Sequence, residues 1–306
     1  MSAPDRAQGR SEFRESRRVR LSSEELALLP SEEDVAFYRE HGWYRSRKVI
    51  SDHLLDEALA GSERHFNGDR DWALPIQGGF ADWKPEDGDV LRNAQAVALQ
   101  NHQIRELVML PILGAIAGRL VDTSEIRYFD DSVLYKPAQL PDTTSVVGWH
   151  TDRAYWGTCT SDNMLTAWIP FHDCPEEMGP ITYVDASHKW PGAAAMRTFH
   201  NKELAELESR FMSDKPTTSK HAMTLKRGEV SFHSCLTVHG SEANRGGAPR
   251  IALALHMQDA ANRFRHHLDD EGKPWHLFND DLARRLDDGT PDYSDPAVFP
   301  VLWASA

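Results

Sequence analysis

The sequence predicts a mainly β protein, a closed or double-sheet structure buttressed by helices. Helical signals are gathered before Ser124, whereas short strand-like runs broken by Pro, Gly, Asn and Asp follow it. Candidate metal ligands fall on separated strand-like runs, an arrangement that needs sheets to bring them together. No Pro/Gly/Ser linker divides the 306 residues. The expected organisation is therefore a flexible arm over 1–20 and a single domain over 21–306, with a helical N-terminal part and the β core from about residue 124.

Each element has its own local reason. Residues 1–20 are polar and arginine-rich with few apolar anchors, and Asp5, Glu12 and Glu15 interrupt their charge, which counts against a nucleic-acid tail. Ser22 with Glu25 has the spacing of a capping box, and Ser31 with Asp34 gives a weaker version before "VAFYREHGW". Val35, Phe37 and Tyr38 supply the apolar surface of a short helix that Gly42 ends. Leu54, Leu55, Ala58, Leu59 and Phe66 recur at helical spacing over 52–66. Residues 67–92, rich in Asp, Gly, Pro and Trp, predict a long ordered loop in which Trp72, Phe80 and Trp83 either line a pocket or pin the loop to the core. A helix is expected through "AQAVALQNHQIRELVML", and Pro111 either starts or kinks the next segment. Strands are expected over 126–135, 146–156, 164–171, 181–184, 230–239 and 251–257.

Composition narrows the function classes. A formal net charge of −13 argues against a non-specific grip on nucleic acid or an anionic membrane. Cys159, Cys174 and Cys235 form no CxxC pair and no disulfide framework, which fits a reducing compartment. With no apolar N-terminal segment resembling a signal peptide and no run long enough to span a bilayer, a cytoplasmic protein acting on a small molecule is expected.

The stretch that points to chemistry is "GWHTDRAYW". On a strand, a period of two puts the imidazole of His150 and the carboxylate of Asp152 on one face, within reach of one metal ion. An HxD triplet alone is weak in a chain with 15 histidines. It gains weight from His239, at the end of the 230–239 run, and from Arg250, which opens an apolar stretch whose burial would demand an anionic partner. Two His and one carboxylate leave positions open on an octahedral ion, the arrangement by which non-haem Fe(II) takes up an organic acid and O2. An oxygenase centre is the reading.

Five stretches carry a resemblance: "DVAFYREHGW", "WHTD", "TAWIP", "EEMGPITYVDASHKW" and "HGSEANRGGAPRIAL". Over roughly residues 30–260 the chain resembles the phytanoyl-CoA dioxygenase family of Fe(II)- and 2-oxoglutarate-dependent oxygenases. The resemblance implies a double-stranded β-helix core of the jelly-roll, cupin-like type. It implies Fe(II) on His150, Asp152 and His239, with Arg250 on the C5 carboxylate of 2-oxoglutarate and Ser241 donating a hydrogen bond nearby. Trp168 would be a wall of that pocket or an ordinary core aromatic, and Lys136 a further polar contact to cosubstrate or substrate. Asn244 and Gly246 would shape the turn before Arg250, leaving Arg245 solvated.

The implied reaction consumes O2 and 2-oxoglutarate, releases succinate and CO2, and hydroxylates an unactivated C–H bond of a small organic metabolite. The same cofactors also support epimerisation, desaturation or ring closure, while retention of Asp152 argues against halogenation. A non-catalytic, metal-containing jelly-roll binding module is the alternative from another class. The expected substrate walls are the 67–92 loop, Tyr155, Trp156, His233 and the "NRFRHHLDD" region. There Arg263, Arg265, His266 and His267 either recognise an acidic substrate or balance Asp269 and Asp270.

Overall fold

The computed structural model describes residues 20–76, 83–138, 145–215 and 218–305. The expected arm, apart from its last residue, and Phe80 lie outside the described residues. The helical part begins with α1 (Ser23–Leu26) and α2 (Glu32–His41), and both capping boxes form. Gly42 ends α2 at φ 81°, the left-handed region that favours glycine. It leads into β1 (Trp43–Arg45), followed by α3 (Asp52–Phe66), whose bounds match the expected helix. The next expected helix is shorter than its apolar pattern suggests. Residues 92–95 form a strand, β2 (Arg92–Gln95), and the helix α4 (His102–Val108) starts only after Asn101, whose side chain caps it. Pro111 starts α5 (Pro111–Val121) rather than kinking it.

The β region then runs through β3 (Glu125–Lys136), β4 (Val147–His150), β5 (Leu165–Pro170) and β6 (Thr182–Val184). After α6 (Leu204–Met212) come β7 (Lys220–Ala222), β8 (Ser231–Ser234), β9 (His239–Ser241) and β10 (Arg250–Asp259), with α7 (Phe278–Leu282) and β11 (Val301–Ala304) last. Two antiparallel sheets result. The larger has the order β1-β8-β5-β10-β3-β11, and the smaller β4-β9-β6-β7. Strand β3 is long enough to pair β11 near its start and β2 near its end on the same side. Because β1 and β2 join this sheet, the β core draws on residues well before 124.

The 230–239 run is not one strand. It divides into β8 and β9, which belong to different sheets, and the turn between them carries the chain across the double layer. This division places His239 opposite β4.

Alternation fixes which side chains face where. Leu253, Leu255 and Met257 of β10, Leu165, Ala167 and Ile169 of β5, and Phe232 of β8 pack in one core with Leu55, Ile104, Leu107, Ile112 and Ile116 from the helices. Truncating one such leucine to alanine typically costs about 2–5 kcal/mol. The alternate residues, Arg250, Ala254 and His256 on β10, Thr166 and Trp168 on β5, and His233 on β8, face a cavity lined by both sheets. No helix among the described residues is long and apolar enough to cross a membrane.

Candidate active site

His150 and His239 are direct partners across β4 and β9, with ring centroids 4.1 Å apart. Strand β4 ends at His150, earlier than the expected 146–156 run. Thr151 nevertheless stays extended, at φ −122° and ψ 144°, before a 3-10 turn starts at Asp152. One extended residue between them projects His150 and Asp152 to the same side. Ligand atoms of His150, Asp152 and His239 all lie within 4.8 Å of one another, and all three residues are buried. Gly148 makes room for this arrangement. A Cβ there would collide with the backbone oxygens of Thr198 and Asn201, whereas the bare Gly148 N–H donates to Phe199 O at 2.9 Å and the Phe199 ring packs 5.0 Å from His150.

Hydrogen bonding sets the state of each ligand. His150 Nδ1 lies 2.7 Å from Gly148 O, and His239 Nδ1 lies 2.9 Å from Thr237 O. A carbonyl only accepts, so both Nδ1 atoms carry the proton and both Nε2 lone pairs are left for a metal. Burial, with His239 alongside, pushes His150 down to about 3; burial and His233 push His239 down to about 4. Both rings are neutral ligands at neutral pH. Burial disfavours charge on Asp152, yet the His239 ring beside it and a hydrogen bond from His233 keep its carboxyl well below the usual carboxylate range.

The second oxygen of that carboxylate is already held. Thr166 Oγ1 donates to Asp152 Oδ2 at 2.6 Å, and His233 Nε2 lies 3.2 Å from the same atom. Since the Thr166 proton goes to Asp152, the hydroxyl accepts from His256 Nδ1 at 2.8 Å, which leaves His256 Nε2 as the free ring acceptor. His233 Nδ1 meets Tyr183 Oη at 3.1 Å, and Tyr183 Oη meets Ser231 Oγ at 2.7 Å. Asp152 Oδ1, 3.5 Å from His239 Nε2, is the oxygen turned toward the other ligands.

At the far end of β10, Arg250 is 2% exposed and its Nε has no hydrogen-bond partner. Its guanidinium carbon lies 5.5 Å from the Trp168 ring, and burial lowers its pKa to about 10. No protein carboxylate pairs with it among the described residues, so a buried cation faces a cavity it shares with the triad. That fits a dianionic cosubstrate, and two imidazoles with one carboxylate fit Fe(II).

The other expected residues divide. Ser241 and Trp168 line the cavity. Lys136 does not: its ammonium donates to Ser241 Oγ at 2.7 Å, Glu242 O at 2.5 Å and Ser241 O at 3.4 Å, which uses all three of its protons behind the wall. Arg245 is exposed and 3.8 Å from Glu242. Asn244 shapes the turn, donating to Ala248 O and accepting from the Gly246 N–H at 2.9 Å each.

Tyr155, Trp156 and His233 line the cavity as expected, but no described residue of 67–92 does. Trp72 stacks under Arg105 and Trp83 under Arg92, so these rings pin the loop. Arg263 and Arg265 donate to backbone carbonyls and stay outside the cavity. Asn93, Asp130, Thr166, Phe199 and His256 are wall residues that the sequence reading did not single out. For Asp130, Thr166 and His256 the signal is present in the alternation of "FDDS", "LTAW" and "ALALH" around apolar core positions.

Comparison with known proteins agrees with this geometry. The family model described as Phytanoyl-CoA dioxygenase (PhyH) matches residues 38–252. Among solved structures, the non-haem α-ketoglutarate-dependent carbocyclase SnoK from nogalamycin biosynthesis is 25% identical, with a TM-score of 0.65 over 89% of this chain and 96% of that one. The epimerase SnoN from the same biosynthesis is 23% identical, with a TM-score of 0.61 over 90% of this chain and 99% of its own. EctD from S. alaskensis, solved with 2-oxoglutarate and 5-hydroxyectoine, is 21% identical, with a TM-score of 0.60 over 86% of each chain. No protein of curated function matches the sequence significantly.

Proposed function

This chain belongs to the phytanoyl-CoA dioxygenase family of non-haem Fe(II)- and 2-oxoglutarate-dependent enzymes, and on that premise we propose that it hydroxylates an unactivated C–H bond of a small organic metabolite. O2 and 2-oxoglutarate are consumed, and succinate and CO2 are released. One observation carries the reading: a buried His-Asp-His cluster and a buried arginine that no carboxylate among the described residues pairs with open into the same cavity.

His150 Nε2, Asp152 Oδ1 and His239 Nε2 would hold the iron. The chemistry supplied when iron and 2-oxoglutarate are bound is oxidative decarboxylation of the cosubstrate, coupled to oxidation of the substrate C–H bond. The protein's part is placement. Arg250 offers its planar fork to the C5 carboxylate, where two charge-assisted hydrogen bonds fix the cosubstrate's far end. Lys136 donates to Ser241 Oγ, so the serine's own proton is free to donate to that carboxylate. Ala252 is fully buried and Ala254 lines the cavity, so the floor between Arg250 and His256 carries no bulk. Tyr155, Trp156 and Phe199 wall the metal side and exclude water.

Ring closure is the second reading, favoured by the likeness to a carbocyclase at 25% identity. Product mass separates the two once a substrate is turned over. Hydroxylation adds one oxygen atom that carries label from isotopic O2, with one 2-oxoglutarate consumed. Loss of two hydrogens points to ring closure or desaturation and an unchanged mass to epimerisation; either would overturn the hydroxylase assignment.

A further inference from the structure

The inner face of the larger sheet is graded in charge. Across four neighbouring strands the register aligns His233 with Thr166, Thr166 with His256, and His256 with Asp130. The opposite end of β10 aligns Arg250 with Lys136. Six residues separate the two rows, about 20 Å of extended chain. Arg250, the member of that row that lines the cavity, is suited to the cosubstrate carboxylate, which leaves the Asp130 end to the other substrate.

Asp130 and Asp131 are adjacent but face opposite ways. Asp131 turns from the cavity and is satisfied by the Val97 and Ala98 N–H groups at 3.1 and 3.0 Å and by Tyr128 Oη at 2.6 Å. Asp130 lines the cavity, 8% exposed, and its Oδ1 accepts from the backbone N–H of Asp131 at 2.8 Å. No cationic side chain pairs with it among the described residues. Burial and the neighbouring Asp131 raise its pKa well above the usual value, a cost that a cationic ligand would remove. Across the register from it on β10, His256 Nε2 is a further acceptor. This wall offers acceptors and calls for donors.

Net charge sharpens the demand. Fe(II), Asp152, the 2-oxoglutarate dianion and the Arg250 guanidinium together carry no net charge. Asp130 is then the other carboxyl among the described residues that line the cavity, and a cation beside it would favour the ionised form that burial disfavours.

We propose that Asp130 anchors a protonated amine of the organic substrate, with His256 accepting a further hydrogen bond from it. The inference rests on the Fe(II)/2-oxoglutarate reading for the position of the cosubstrate. Thr166 touches Asp152, and Asp130 lies two strands away in the same row, about 10 Å at sheet spacing. An amine at Asp130 is therefore held in the row that carries Thr166, away from the Arg250 end.

The test uses benzylammonium and its uncharged counterpart benzyl alcohol as probes, since Tyr155, Trp156 and Phe199 offer an aromatic wall. Ligand-observed NMR titrations are run anaerobically on the protein loaded with Fe(II) and 2-oxoglutarate. The wild type should bind benzylammonium at least about tenfold tighter than benzyl alcohol. Asp130→Asn should erase that preference, and Asp130→Glu should keep part of it. Cosubstrate affinity should stay unchanged in both variants. Equal binding of the two probes by the wild type, or an amine preference that survives in Asp130→Asn with 2-oxoglutarate still bound, would overturn the proposal. Failure of the wild type to bind 2-oxoglutarate would overturn the oxygenase reading, and the proposal with it. The wild-type comparison depends on no variant folding.

Discussion

Thr166 Oγ1 stands 2.6 Å from Asp152 Oδ2 and 2.8 Å from His256 Nδ1, so a single hydroxyl joins the acidic member of the triad to the wall of the cavity. Groups that hold a ligating carboxylate fix which oxygen meets the metal, and removing one typically costs about 10–100-fold in metal affinity. Thr166→Val keeps the shape and loses the donor. It should weaken Fe(II) binding by about tenfold or more in a competitive metal titration, while Thr166→Ser stays near wild type. Unchanged affinity in a folded valine variant would mean that His233 alone suffices.

Arg250 is the residue on which the cosubstrate assignment turns. Removing a desolvated guanidinium leaves the anion buried without its match, a loss on the order of 2–5 kcal/mol, or roughly 30-fold and upward in affinity. Arg250→Ala should raise the dissociation constant for 2-oxoglutarate by at least about 30-fold with Fe(II) binding near normal, and lysine should rescue only in part. Arg245→Ala is the contrast: that side chain is exposed, and the variant should bind cosubstrate almost normally. A large loss at Arg245 with little change at Arg250 would move the pocket from the strand to the turn.

A pH effect on stability is expected away from the site. His65 is 3% exposed, its Nδ1 lacks a partner, and burial, with Arg70 nearby, pushes its pKa down to about 3. The unfolded chain protonates this ring near the ordinary histidine value while the folded chain does not, so the unfolded state binds more protons below it. Stability is present above about pH 6.5 and is lost progressively as pH falls toward the folded value, by about 2 kcal/mol at pH 5. Denaturant titrations at pH 7 and pH 5 should show that loss in the wild type and a smaller one in His65→Leu. Equal losses in both would mean that His65 accepts a proton inside the fold.

The parts of this protein legible in its sequence are those fixed by local chemistry. Ser22, Ser31, Gly42 and Pro111 mark helix ends through hydrogen bonds or φ values that reach only a few residues, and each lies where its type demands. The apolar runs of β3, β5 and β10 are buried in the core, so their strands were found nearly to the residue. What escaped depends on distant partners. Residues 92–95 become β2 because β3 offers an edge, against a helical apolar pattern. Strand β9 separates from β8 because it pairs with β4 and β6 in the second sheet. Lys136 reads as a pocket residue from its place in "VLYKP", yet the loop carrying Ser241 and Glu242 captures its ammonium. The triad positions were visible because a two-residue spacing survives even where the strand gives way to a turn at Asp152.

The central claim is that His150, Asp152 and His239 hold an Fe(II) that 2-oxoglutarate joins. Its most direct test is anaerobic titration of 2-oxoglutarate into the Fe(II)-loaded protein, read by visible absorption and calorimetry. A weak metal-to-ligand charge-transfer band should grow to saturation in the wild type and be absent when His150 and Asp152 are both replaced by alanine. A wild-type protein that takes up metal but gives neither the band nor any heat with 2-oxoglutarate would contradict the account, and would leave the cluster as the metal site of a binding module.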